Sequence, residues 1–319
     1  MKKLKTAIKL ILPYIAILAS FACYYGIADT GKQKEMTYPY YMYLVVILAV
    51  IYGIFLISAI FSQKMRAGVI KKAPLLTGAL VFMLVINTIM CKTTILPTLY
   101  FPSLDRIFGL LFEERIFLLQ NVLFSLRLLV VGFAFGAVIG FFTGLGLGYS
   151  TKVGYWLNPI TKIIGPIPST AWIPLALSVF PTTTGANIFL IAFAVWFPVT
   201  IMTSTGISGT TQVHYEVADT LGANELYKIV HVAIPSAMPS IFLGLFYGTV
   251  SSFATLMTVE MNGNSSGIGW YINWQKQVMM YDGVYSGLII IAIMCFLILT
   301  LLFKIKDKVL VWQRGIIKW

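Results

Sequence analysis

Two ionisable side chains stand where such groups are costly. Arg127 and Glu260 fall within or at the ends of long apolar runs. A charge at the centre of a bilayer costs about 2.5–3.5 kcal/mol on insertion scales, so each needs a partner, water or an interface. Both lie toward one end of their runs. Either they snorkel to the headgroups, or one or both line a solute pathway, where they could pair with each other. The remaining reactive inventory is thin. His214 and His231 are the only histidines, and Cys23, Cys91 and Cys295 the only cysteines, without metal-ligand spacing. No metal site is expected, and free thiols are favoured over a Cys23–Cys91 bridge. No nucleophile–base constellation stands out, so no catalytic residue is assigned and the chain is not expected to be an enzyme. It also lacks a Gly-x-x-x-x-Gly-Lys-Ser/Thr loop to cradle nucleotide phosphates.

The elements that must carry these groups are set by composition. Of 319 residues, 59% are hydrophobic and 11% charged, with mean hydropathy +0.87. A soluble domain carries about 25% charged residues, so this chain must face lipid. The net charge of +12 does not point to nucleic acid, because the basic residues cluster beside apolar runs, as membrane flanks do. A bilayer core about 30 Å thick needs roughly 20 apolar helical residues. Eight spans are expected, near 9–28, 41–62, 74–94, 119–148, 158–180, 186–208, 238–259 and 284–303. Pro159, Pro166, Pro168 and Pro174 interrupt the fifth, which neighbouring helices can tolerate. The first apolar run is longer than a signal-peptide core and has no small-residue cleavage site, so it reads as an uncleaved helix. With both termini cytoplasmic, sixteen lysines and arginines lie inside and six outside, Arg127 being within a span. The positive-inside rule favours that orientation.

Gly132, Gly136, Gly140, Gly144 and Gly148 recur at every fourth position of the fourth span. They share one helix face and allow a neighbouring backbone to approach closely, either for packing alone or as a surface that slides during transport. Between the sixth and seventh spans, residues 212–235 read as a short amphipathic helix, a turn at Gly222, and a second helix ended before Pro235. Val217, Ala218 and Leu221 form its apolar face, against polar Glu216, Asp219 and Thr220. Such a structured loop suits docking to a soluble partner.

The order Glu216-x-Ala218, Gly222, then Val232-x-Ile234-Pro235 resembles the "EAA" loop of type I ABC importer permeases, with Val217 in place of the family's first alanine. Ser125 and Arg127 with the glycine ladder, Gly148-Tyr149-Ser150, Leu157-Asn158-Pro159, Ile167-Pro168 and Ala171 to Pro174 agree in order. So do Glu260-Met261, Gly267-Ile268-Gly269 and a tail ending in Trp319. Together they resemble permeases of the nitrate, sulfonate and taurine group, which includes transporters of thiamine-pyrimidine precursors. Phe180 to Gly185 departs from the turn usual in that group.

The resemblance implies an all-α, polytopic transmembrane bundle: a permease core at 73–319, with a coupling loop at about 209–237, and two extra N-terminal helices within 1–72. It implies a homodimer, two cytoplasmic ATPase subunits that hold ATP and Mg, and an extracytoplasmic solute-binding protein. No cofactor is expected in this subunit. It places Glu216, Val217, Ala218, Asp219, Leu221, Gly222, Ala223 and Pro235 at the ATPase-coupling site, in a bacterial cytoplasmic membrane. A small organic anion or a thiamine-precursor-like heterocycle would be the solute. An ion-coupled secondary transporter should instead show paired broken helices and midplane acids; a membrane scaffold is the other alternative.

Overall fold

The computed structural model describes residues 2–31, 37–61, 63–93 and 95–312. Lys32, Lys34, Arg314, Lys318 and Trp319 lie outside these residues, as do the side chains of Lys2, Lys3, Lys5 and Lys64. Every regular element described is helical. The order is α1 (Lys2–Gly26), α2 (Tyr40–Phe61), α3 (Gln63–Lys92), α4 (Leu104–Glu113), α5 (Arg115–Tyr149) and α6 (Thr151–Ile164). A 3-10 turn (Ser169–Trp172) leads to α7 (Ile173–Val179), then α8 (Thr183–Ser208), α9 (Gln212–Thr220) and α10 (Glu225–Lys228). A π turn (Ile229–Ala233) joins α11 (Ile234–Met261), followed by α12 (Ile268–Gln277) and α13 (Tyr281–Val309).

Seven helices among the described residues are long and apolar enough to cross a membrane. The expected span at 158–180 is not a continuous helix: it breaks between Ile164 and Ser169, where Pro166 and Pro168 have no N–H to continue the helical ladder. Pro174 is accommodated in the first turn of α7, where its missing N–H costs nothing.

By packing, the chain forms two compact units. One comprises Met1–Ile116 with Gln275–Ser286; here α3 stays with α1 and α2, so the unit runs past residue 72, where the family resemblance divides the sequence. Tyr52, Ala59, Val69 and Ala73 form a core against Leu10, Tyr14, Leu56 and Leu76. Polar groups close the helix ends. Asp105 on α4 accepts from the Tyr41 N–H in the first turn of α2 (2.9 Å) and from the Tyr24 hydroxyl (3.1 Å). Burial pushes the Asp105 carboxyl above its ordinary range, and these two donors oppose that shift. The Lys92 ammonium bonds the Tyr24 carbonyl (2.9 Å) and that of Ile27, satisfying carbonyls at the end of α1, and pairs with Asp29 (2.8 Å).

The other unit comprises Phe117–Trp274 with Gly287–Trp319, and α8 is its axis. Leu190, Ile191, Val195 and Val199 are fully buried along it. The glycine ladder of α5 lies on one side. A Cβ at Gly132 would stand 2.7 Å from the Ile191 Cβ, and at Gly136 it would overlap the Ala192 carbonyl oxygen. At Gly140, Gly144 and Gly148 it would stand 2.8, 2.5 and 2.7 Å from the carbonyl oxygens of Trp196, Thr200 and Ser204. The opposing carbonyls step by four residues, as the glycines do, so the two backbones touch over five turns. On the other side, a Cβ at Gly244 of α11 would meet the Met202 Cβ at 2.9 Å. Lipid supplies no hydrophobic drive between helices, so this close van der Waals fit holds the bundle together.

Candidate functional site

Two of the groups singled out in the sequence, the 212–235 loop and Glu260, lie at the two ends of α11. The near end begins with α9, whose C-terminus closes by a Schellman turn. The Ala223 N–H donates to the Ala218 carbonyl (3.0 Å) and the Gly222 N–H to the Asp219 carbonyl (3.0 Å). That geometry requires the left-handed φ of +76° at Gly222. The Asn224 side chain then caps α10, accepting from the Tyr227 N–H at 2.8 Å. Lys228 bonds both Asp219 (2.8 Å) and Glu225 (2.6 Å), tying α10 back to α9, and the Tyr149 hydroxyl at the end of α5 donates to Glu225 (2.6 Å). Tyr227 stacks on His231 at 4.2 Å.

The apolar face of α9 is divided. Ala218 is buried at 7% exposure, packing the helix down, while Val213 (57%), Val217 (53%) and Leu221 (82%) stand in solvent. They fall at i, i+4 and i+8, a single stripe. Glu216 is exposed beside it. The expected end of the second helix before Pro235 does not occur. α10 runs through the π turn, where the Ile234 N–H reaches back five residues to the Ile229 carbonyl, into α11 with Pro235 in its first turn. The wider turn accommodates the ring without ending the helix.

The far end holds Glu260, fully buried. Its carboxylate accepts from the Ser125 hydroxyl (2.6 Å) and the Gly269 N–H (2.7 Å). Ser125 in turn accepts from the Ile268 N–H (2.9 Å), and Asn121 Oδ1 from the Gly267 N–H (2.8 Å). Three successive backbone donors at the start of α12 are thus bound by side chains of α5 and α11. Gly267 has φ +114°, and a Cβ there would stand 2.5 Å from a Glu260 carboxylate oxygen. Glu260 neither snorkels nor pairs with Arg127, which is exposed and forms no ion pair among the described residues. Sequence reading did not identify Asn121, and treated Ser125 only as part of a motif. All three cysteines are free, and no His, Cys, Asp and Glu cluster among the described residues could hold a metal.

Residues 136–311, more than half of the chain, match the family model described as "Binding-protein-dependent transport system inner membrane component". The chain belongs to that family. It is a permease subunit of an ABC importer, a membrane-spanning component of the inner membrane. The ion-coupled and scaffold alternatives fall with that assignment. A putative ABC transporter permease protein of Methanocaldococcus jannaschii is 30% identical over 62% of this permease and 74% of its own length. A putative aliphatic sulfonates transport permease protein, SsuC, of Bacillus subtilis is 30% identical over 65% of this permease and 76% of its own length. Among solved structures, a crystal structure of an amino acid ABC transporter with histidines aligns at TM-score 0.51 and 17% identity, over 65% of this chain and 97% of that one, a likeness of fold alone.

Proposed function

We propose that α9 is the coupling helix, through which a separate cytoplasmic ATPase moves this permease between inward- and outward-open states. One observation carries the reading. Val213, Val217 and Leu221 form an apolar stripe held in solvent on a helix fixed at its C-terminal end, by the Schellman turn at Gly222 and by Ala218 packed beneath it. An exposed apolar stripe rimmed by Glu216 and Asp219 suits a partner's groove better than water. The π turn carries displacement of α9 directly into α11. ATP and Mg belong to the partner, two copies of which serve a homodimer of this permease. ATP shifts the equilibrium only so far as its subunits bind one state more tightly than the other.

The loop then faces the cytoplasm with both termini, and a solute-binding protein docks at the opposite surface. A small organic anion of the sulfonate kind is the solute this reading favours, in keeping with the SsuC relative. Gly222→Arg tests the coupling. Nothing lies within 4 Å of a Cβ there, so the variant carries only the left-handed backbone strain and is expected to insert in the membrane. Hydrolysis stimulated by the loaded binding protein is expected to disappear in the reconstituted complex; unchanged stimulation would refute the assignment.

A further inference from the structure

The break between α6 and α7 leaves irregular backbone inside the membrane-spanning unit. Within a bilayer, such backbone is tolerated only where it is buried in protein or lines a cavity. Here it lines one. A cavity of about 360 Å³ opens against Gly165–Thr170, with α8 and α11 forming its other walls. The volume lies in the range of small-ligand sites. On α8 the wall runs from Phe193 to Pro198, about 15 Å from either end of that helix at 1.5 Å per residue, so the cavity sits near mid-span.

Its chemistry is unusual for that depth. Ser169 and Thr170 from the break converge on Ser251 and Thr255 from α11, and the Ser169 and Thr255 hydroxyls bond each other at 2.7 Å across the gap. Phe193 and Phe197 supply flat apolar walls. No acidic or basic residue lines the space. Hydroxyls in an apolar span are costly unless they serve packing or a ligand. Four of them from two separate segments, around a void of this size, fit a ligand.

We propose that this cavity is a solute-contact site of the permease, taking a compact oxyanion headgroup through hydroxyl donors rather than through a counter-charge. The proposal rests on the permease reading and moves the pathway away from Arg127 and Glu260. Lacking a fixed cation, the site would hold its ligand weakly, which suits a conduit: entry must be favourable but release easy. Lacking a carboxylate, it does not repel an anion.

The probe is methanethiosulfonate ethylsulfonate, a small membrane-impermeant thiol reagent that itself carries a sulfonate. Single cysteines replace Ser251, or the adjoining wall residue Ala254, in the full complex freed of Cys23, Cys91 and Cys295. Cysteine at Val250, exposed on α11 but outside the cavity lining, is the control. The expected result is labelling of Ser251→Cys and Ala254→Cys at least tenfold faster than Val250→Cys. A change of threefold or more when vanadate traps the ATPase is also expected, as is a rate no slower than that of the cationic ethyltrimethylammonium analogue after correction for intrinsic reactivity. Two cavity cysteines guard against one variant failing to insert. Equal labelling of cavity and control sites, or no labelling in either nucleotide state, would overturn the site. Faster reaction with the cation would overturn the ligand class. ATP hydrolysis by the same complexes separates the two readings: retained hydrolysis with inert cavity cysteines strikes the cavity alone, while a permease that assembles with no ATPase strikes the coupling reading.

Discussion

The two ends of α11 use the same backbone device in opposite surroundings. Each is flanked by a glycine in a left-handed conformation, Gly222 at φ +76° and Gly267 at φ +114°. Around Gly222 nothing lies within 4 Å of where a Cβ would be; at Gly267 that position is already occupied by the Glu260 carboxylate. At the far end the backbone donors of Gly267, Ile268 and Gly269 are all bound by side chains of the chain itself. The near end leaves Val217 and Leu221 without cover. The contrast separates two uses of a left-handed glycine: one end is finished by its own side chains, and the other is left for a second protein to complete.

The largest expected effect lies at the filled end. Gly267→Ala combines left-handed strain with overlap onto a buried carboxylate, and should cost about 3–5 kcal/mol, seen as a lower apparent Tm of the detergent-purified permease. Next is Glu260→Gln, which keeps the shape but turns a donor toward Ser125 or the Gly269 N–H. One bond is then lost in a buried network, for about 1–3 kcal/mol. Ser125→Ala should fall in the same range, and the double variant should cost less than the sum, since both substitutions break one network. If Glu260 served the solute instead, Glu260→Gln would leave thermal stability unchanged.

The open end should behave in the reverse manner. Gly222→Arg carries only the left-handed penalty, about 1–2 kcal/mol, with an apparent Tm close to that of the parent. Leu221→Ala, on a side chain 82% exposed, should change stability by less than about 0.5 kcal/mol. Its effect should appear in pull-down titrations, as ATPase association weakened several-fold. A stability loss at Leu221 as large as that at Glu260 would erase the distinction between the two ends.

Local patterns were readable before the fold was known, and long-range ones were not. The amphipathic stretch before Gly222 and the run toward Pro235 after it announce a helix, a turn and another helix. The glycine ladder announces a close helix contact, though not its partner, because a four-residue period says nothing of which helix supplies the facing carbonyls. Hydropathy places a span at 158–180 that four prolines interrupt, but composition does not say which of them break it: Pro159 and Pro174 sit within helices, while Pro166 and Pro168 open the backbone. Pro235 was read as a stop, yet the π turn before it carries the helix through, a local rearrangement that composition does not signal. Glu260 shows the limit most clearly. Its partner Ser125 lies 135 residues away in sequence, and nothing near either residue in the chain points to the other.

The most direct test of the account is chemical capture from each end of α11. Leu221→Cys and Asn262→Cys, each carrying a benzophenone maleimide, would be irradiated in membranes containing the permease and its ATPase. Position 221 should yield a covalent adduct with the ATPase subunit and position 262 none. Absence of that adduct from 221, or its appearance from 262, would contradict the assignment of α9 as the surface that receives the ATPase.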